Sequence, residues 1–313
     1  MTDLRIKVSE ALKIAALNES AKNYLLNNSQ LFGLLLKAAK RYIGGEDLQE
    51  ASQTVKRLNA IGLPTSLEFM GESTSSISEA NNVTQEFLAI IKTIKDENLT
   101  SIVSLDLSHI GLAIDKQLAF ENLKLLAEAA KAINKEVIIS AEGIESTDEI
   151  IETFCKISPD YSNVGLTLQA YLYRTPNDLE RCLKETQGKI RIVKGAFATP
   201  EQYSIRRGDQ LDDLYIKYVE TLLLNQRTCS IATHHDKIQN KVKELLIRHE
   251  IPKSNYEFEM LLGIREDLLT NLQLEGYPCR QYIVYGKEWY LYLCNRIAEN
   301  PENLFQAIID IMA

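Results

Sequence analysis

The chain has 313 residues, 45% hydrophobic and 25% charged, enough to bury a sizeable core as one large domain or two small ones. A net charge of −8 and a pI near 5.3, with no Lys/Arg stripe, argue against nucleic acid as a partner. No apolar run approaches a membrane span, and no signal-peptide core follows Met1. The five cysteines (Cys155, Cys182, Cys229, Cys279 and Cys294) are scattered without CxxC or Cys/His ligand spacing. They read as free thiols in a cytoplasmic protein without a metal site, peripheral membrane association staying open.

Residues from about Ile6 to Asn59 carry helical apolar spacing, broken at Gly44-Gly45 and stopped at Gly62-Leu63-Pro64. From Thr65 an alternation begins. Strand-like runs cover 65–72, 100–108, 136–142, 163–170, 189–196, 228–235, 255–263 and 279–286. Helical patterns separate them, and a last short helix (303–312) follows Pro301. Eight strand-helix units of near-constant period predict parallel strands joined by right-handed crossovers. Eight is the number that closes a (β/α)8 barrel, here over 64–313, with 1–63 as a helical amino-terminal segment. An open doubly wound sheet competes, but no GxGxxG opens the first helix.

Active sites of such barrels lie at the carboxyl ends of the strands. Those ends read Glu72, Asp106, Glu142, Gln169, Lys194, His234, Glu259 and Tyr282, more polar residues than stability needs. The segment KIRIVKGAF (189–197) stands out because it places Arg191 and Lys194 in an apolar run closed by Gly195-Ala196. Cations are costly to bury unpaired, so an anion at the strand's end is expected, with snorkelling to solvent as the plain alternative. Trp289, Tyr292, Arg296 and Glu299 share one helical face.

RIVKGAF resembles the R-L-V-K-G-A-Y segment of proline dehydrogenases. LQAYLYRT (168–175), ATHH (232–235), FEMLLGIRE (258–266) and the run from Cys279 to Asn300 agree in family order, with weaker matches at LEFMGES, DLSHIGL and SAEGIES. The resemblance implies a distorted (β/α)8 barrel holding FAD non-covalently. It implies oxidation of a proline-like cyclic amine or imino acid at the carbon next to nitrogen, with quinone or oxygen as electron acceptor. It assigns Arg191, Lys194, Gln169, Thr233 and His234 to the cofactor, joined by Glu142 and Ala196. Arg206 and Arg207 are candidates for one further family cation. Tyr282 matches the tyrosine that packs on the substrate ring. The final helix matches the family's Y-x-x-R-R helix over the flavin, giving Tyr292 and Arg296.

The substrate side departs from the family. Asn295 replaces the first arginine, Asp106 the strand-two lysine, Ser140 the strand-three aspartate and Phe197 a tyrosine. Two cations that would face a carboxylate are gone, and one has become an anion. Charge-assisted hydrogen bonds contribute about 1.5–3 kcal/mol each, so free proline should bind weakly. A cyclic amine or a proline with a masked carboxylate fits better, and Asp106 suits a second amine or a hydroxyl. Two other readings remain: a flavin-binding sensor or scaffold without catalysis, and a flavin-free barrel acting on a phosphate-bearing substrate through Arg191 and Lys194.

Overall fold

The computed structural model describes residues 7–8, 11–12, 14, 18–71, 73–197, 199–299 and 303–312. Glu72 and Pro301, both named above, lie outside the described residues. Eight parallel strands close on themselves: β1 (Thr65–Phe69), β2 (Ser101–Leu105), β3 (Val137–Ile139), β4 (Val164–Gln169), β5 (Ile190–Val193), β6 (Cys229–Ala232), β7 (Tyr256–Leu261) and β8 (Cys279–Tyr285). The pairing Thr65↔Gln281 through Phe69↔Tyr285 joins β8 to β1, which eliminates the open sheet.

Helices α1 (Glu19–Asn27), α2 (Ser29–Ala39) and α3 (Leu48–Ala60) precede the barrel. The helical amino-terminal run is thus broken at Asn28 as well as at the glycines. The Asn28 side chain accepts a hydrogen bond from Leu31 N and caps α2, because a short polar side chain satisfies a donor the helix leaves free. The crossover helices are α4 (Ile77–Asp96), α5 (Lys116–Lys131), α6 (Thr147–Ile157), α7 (Thr175–Glu185), α8 (Asp209–Leu224), α9 (Asp236–Arg248) and α10 (Glu266–Leu274). The chain closes with α11 (Trp289–Glu299) and α12 (Asn303–Met312). Each crossover helix turns one stripe inward; in α4 it is Ala80, Thr84, Phe87, Ile90, Ile91 and Ile94. Among the described residues no helix is long and apolar enough to cross a membrane.

The outer ring has one exchange of partners. In a regular barrel the helix after β8 would close the ring beside β1. Here α3 packs against β8 and β1, and its Ala51 and Val55 belong to the barrel's own core. Helix α11 packs instead on α2 and α12, in a second cluster built from Leu25, Tyr42, Trp289, Leu293, Ile297 and Ala307. It is thereby free to line the cleft at the barrel's carboxyl mouth.

Strands are shorter than the apolar runs. β3 ends at Ile139, so Ser140 to Glu142 stand in the loop that follows. Inside the barrel, alternation along each strand points every second residue to the axis. Glu257 bonds Lys189 at 3.0 Å and Arg280 at 2.9 Å in one layer. In the next, Glu259 meets Arg191, Ser66 and Ser230. This interior is polar and paired.

Candidate functional site

The loops at the carboxyl ends and α11 enclose a cleft of about 730 Å³. Asp106, Ser140, Tyr282, Tyr292, Asn295 and Arg296 line it, as do Gln169, Arg191, Lys194, Ala196, Phe197, Thr233 and His234. Residues from the ends of β2 to β8, from the loops that follow them and from α11 thus meet in one space. Several stand differently from their sequence-based expectations.

Arg191 is the clearest correction. Its guanidinium lies inside the barrel, 3% exposed, with Nε donating to Glu259 Oε2 at 2.6 Å and Nη2 to Glu259 Oε1 at 2.8 Å. Nη2 also reaches Ser104 Oγ at 3.1 Å, and the guanidinium sits 4.9 Å from the Tyr282 ring centroid. The anion expected beside it is this carboxylate. Burial works to raise Glu259, but Arg191 overrides it and holds the carboxyl below its usual range. Lys194 stands at the rim, 2.5 Å from Asp212 of α8 and 3.1 Å from His235 Nδ1. Gly195 follows with φ of +110°, where a Cβ would meet the Tyr171 ring at 2.1 Å, so the turn that carries Lys194 requires glycine. Of the two candidate arginines, Arg207 lines the cleft and donates to Gly195 O at 2.9 Å. Arg206 pairs with Glu201 in solvent.

Glu142 is a second correction. It does not line the cleft; its carboxylate accepts from Ser108 N at 3.1 Å, and its carbonyl accepts from Gln169 Nε2 at 2.9 Å. It positions Gln169 and is itself raised, by burial first and then by Asp106. Phe197 lines the cleft at its rim, where it is 46% exposed. The four-residue face of α11 also divides. Trp289 is fully buried, 5.1 Å from the Phe32 ring, and anchors the helix away from the cleft. Tyr292, Arg296 and Glu299 face the cleft, with Arg296 Nη2 2.7 Å from Glu299 and its guanidinium 4.8 Å from the Tyr292 ring centroid.

His234 Nε2 accepts from Leu261 N at 3.4 Å. Burial, and then Arg296, push its imidazole down to about 3, so it is neutral at working pH. Thr233 is buried and accepts from His235 N at 3.2 Å. Tyr292 Oη and Arg296 Nε are buried in this wall without hydrogen-bond partners among the described residues. Buried polar atoms are ordinarily paired, so two orphans around one cleft point to a bound group.

Glu68 was missed among the strand ends. It lies within β1, 7% exposed, and accepts from Ser140 Oγ at 3.3 Å; that hydroxyl is 3.5 Å from Tyr282 Oη. The signal was available in TSLEF, since alternation sends Ser66 and Glu68 to the same face. Burial, and then neighbouring Asp106, push the Glu68 carboxyl well above its usual range. Burial alone pushes Asp106 up to about 7. His109, on the turn after β2, places Nε2 3.6 Å from Asp106.

A closed parallel barrel with converging polar side chains and partnerless donors at its carboxyl mouth has the architecture of a (β/α)8-barrel enzyme with a cofactor-sized cleft. The family model for proline dehydrogenase matches residues 51–307. The chain is 35% identical over 267 residues to proline dehydrogenase 2 of Bacillus subtilis, covering 85% of this chain and 88% of that one. It is 31% identical over 270 residues to the proline dehydrogenase of Deinococcus radiodurans, covering 85% and 87%. The crystal structure of proline utilization A from Bdellovibrio bacteriovorus, inactivated by N-propargylglycine, superposes with a TM-score of 0.81 at 20% identity. That match covers 94% of this chain and 36% of that protein, so this chain spans about a third of its length. The chain belongs to the proline dehydrogenase family, flavin-dependent oxidoreductases that act on the CH–NH group of proline.

Proposed function

We propose that this chain holds FAD in the cleft and oxidises a cyclic secondary amine at the carbon next to nitrogen. The observation that carries this reading is the pair of buried atoms on Tyr292 and Arg296 that lack partners among the described residues, around one large cleft. Gln169, Thr233, His234 and Ala196 would hold the flavin end. Lys194 and Arg207, cations at the rim, suit the pyrophosphate, because fixed positive donors complement its oxygens. Arg191 contributes positive potential and the stacked face of Tyr282, its hydrogen bonds being committed to Glu259. Bound flavin supplies the hydride acceptor.

The protein's own residues do the positioning. Tyr282 and Tyr292 wall the space beside Arg296, which retains Nε for one oxygen of the substrate. The amine must be neutral before its neighbouring carbon gives up a hydride. Asp106 is the carboxyl in the cleft whose position suits accepting that proton. Asn295 adds no cation to Arg296, and Asp106 opposes an incoming carboxylate, so free proline is held weakly. No observation favours a non-catalytic binder.

The test is a visible spectrum of the purified protein, followed anaerobically as proline and then pyrrolidine are added. A flavin spectrum that pyrrolidine bleaches faster than proline supports the reading. A colourless protein that FAD does not reconstitute overturns it. Adding oxygen or a soluble quinone to the bleached protein identifies the acceptor.

A further inference from the structure

The cleft's charges do not balance. Arg191 is neutralised by Glu259, Lys194 by Asp212 and Arg296 by Glu299. Asn295 carries no charge. On the opposite wall Glu68 and Asp106 line the cleft together, and no cation pairs with either of them among the described residues. Among the described residues Ser140 supplies the side-chain hydrogen bond to Glu68.

We infer that this wall recognises the substrate through its positively charged nitrogen: the Glu68–Asp106 carboxyl pair is an ammonium subsite, and the substrate class is cyclic amines whose ring carries no free carboxylate. This deepens the function proposed above and rests on it for the chemistry that follows binding. Glu68 is buried and Asp106 partly buried in this wall, and Asp106 acts on Glu68; carboxyls coupled in this way ionise one at a time, and the negative charge that results attracts a cation and repels an anion.

Two further side chains face this wall. His109 is 6% exposed and lines the same cleft, with its Nε2 3.6 Å from Asp106. Tyr292 Oη, buried in the facing helix, has no hydrogen-bond partner among the described residues and points to a ligand. Burial keeps His109 neutral, so it does not supply the missing cation. Two further charged groups act on Glu68: Arg191, already paired with Glu259, favours its ionised form, and Glu142 adds negative potential. Once an ammonium is seated, its N–H bond breaks, an O–H bond forms on the carboxyl pair, and the electron pair stays on nitrogen. This leaves a neutral amine without any external reagent.

The experiment is titration calorimetry on the purified protein with three probes: pyrrolidine, a cation without a carboxylate; tetrahydro-2-furoate, a carboxylate without nitrogen; and proline. Pyrrolidine is expected to bind at least tenfold tighter than tetrahydro-2-furoate. The double variant Glu68→Gln/Asp106→Asn, which removes the pair's charge altogether, should weaken pyrrolidine at least tenfold and leave tetrahydro-2-furoate unchanged or tighter. Pyrrolidine stays cationic throughout, so its affinity should fall as pH drops below about 7, where the pair takes up its second proton. Tighter binding of tetrahydro-2-furoate, or pyrrolidine binding indifferent to both substitutions, overturns the subsite. The comparison between probes needs only the unmutated protein, so a variant that misfolds does not rescue the idea. A colourless protein that still prefers pyrrolidine refutes the flavin and keeps the subsite; a yellow protein that prefers tetrahydro-2-furoate does the reverse.

Discussion

Asp106 is the side chain on which the proposed specificity turns. A carboxyl raised to about 7 in the fold from an ordinary 3.8 costs stability when ionised. The folded state keeps the proton longer than the unfolded chain does, so this cost is absent at low pH and grows as pH rises from about 4 to 7. Asp106→Asn should therefore raise the melting temperature at pH 8 and leave it nearly unchanged at pH 4; equal shifts at both would contradict the buried, raised carboxyl. In the function proposed above the same residue sets specificity. Asp106→Lys together with Asn295→Arg introduces two cations, each contributing about 1.5–3 kcal/mol to a carboxylate. The double variant should raise kcat/KM for proline at least about 100-fold, and a flat result would place the specificity elsewhere.

Helix α11 shows how an element can serve two environments. Its spacing was legible as one stripe, but the stripe bends across two neighbours: Trp289 enters the second core beside Phe32, and Tyr292 with Arg296 enters the cleft. The anchor and the working face are therefore mechanically linked. Trp289→Ala leaves a large cavity and should cost about 3–5 kcal/mol, read from denaturant melts. It should also weaken the binding of amines that reach Arg296, although Trp289 does not line the cleft. Helix α3 makes this arrangement feasible by filling the ring position between β8 and β1, which leaves α11 to lie at the barrel's mouth.

Across the molecule, the barrel interior is stabilised by ion pairs in place of an aliphatic filling. Burial works to raise Glu257, but Arg280 and Lys189 outweigh it and hold the carboxyl at about 2. A carboxyl depressed in the fold contributes stability that is complete above its unfolded value near 4.5 and is lost as pH falls toward 2. Acid unfolding should steepen across that window, and Glu257→Gln should remove the steepening. Breaking one partner of a buried network costs about 3–5 kcal/mol, so Glu257→Gln should also destabilise the fold at pH 7 by that order. An unchanged melt at pH 7 would mean that water enters the barrel's floor.

The eight-unit period, the polar strand ends and the KIRIVKGAF segment made the barrel and most of the cleft legible before any tertiary contact was known, because strand alternation and helix periodicity are local properties of the chain. The substitutions Asp106, Ser140 and Asn295 were legible for the same reason, flanked as they are by recognisable motifs. Which charge answers which was decided only in three dimensions. Arg191 finds Glu259, 68 residues away, and Glu68 finds Ser140, 72 residues away. No spacing rule relates these residues; barrel closure and strand register bring them together. Closure also decided that Glu142 stands behind Gln169 instead of in the cleft, and that α3 takes the place in the ring that α11 leaves.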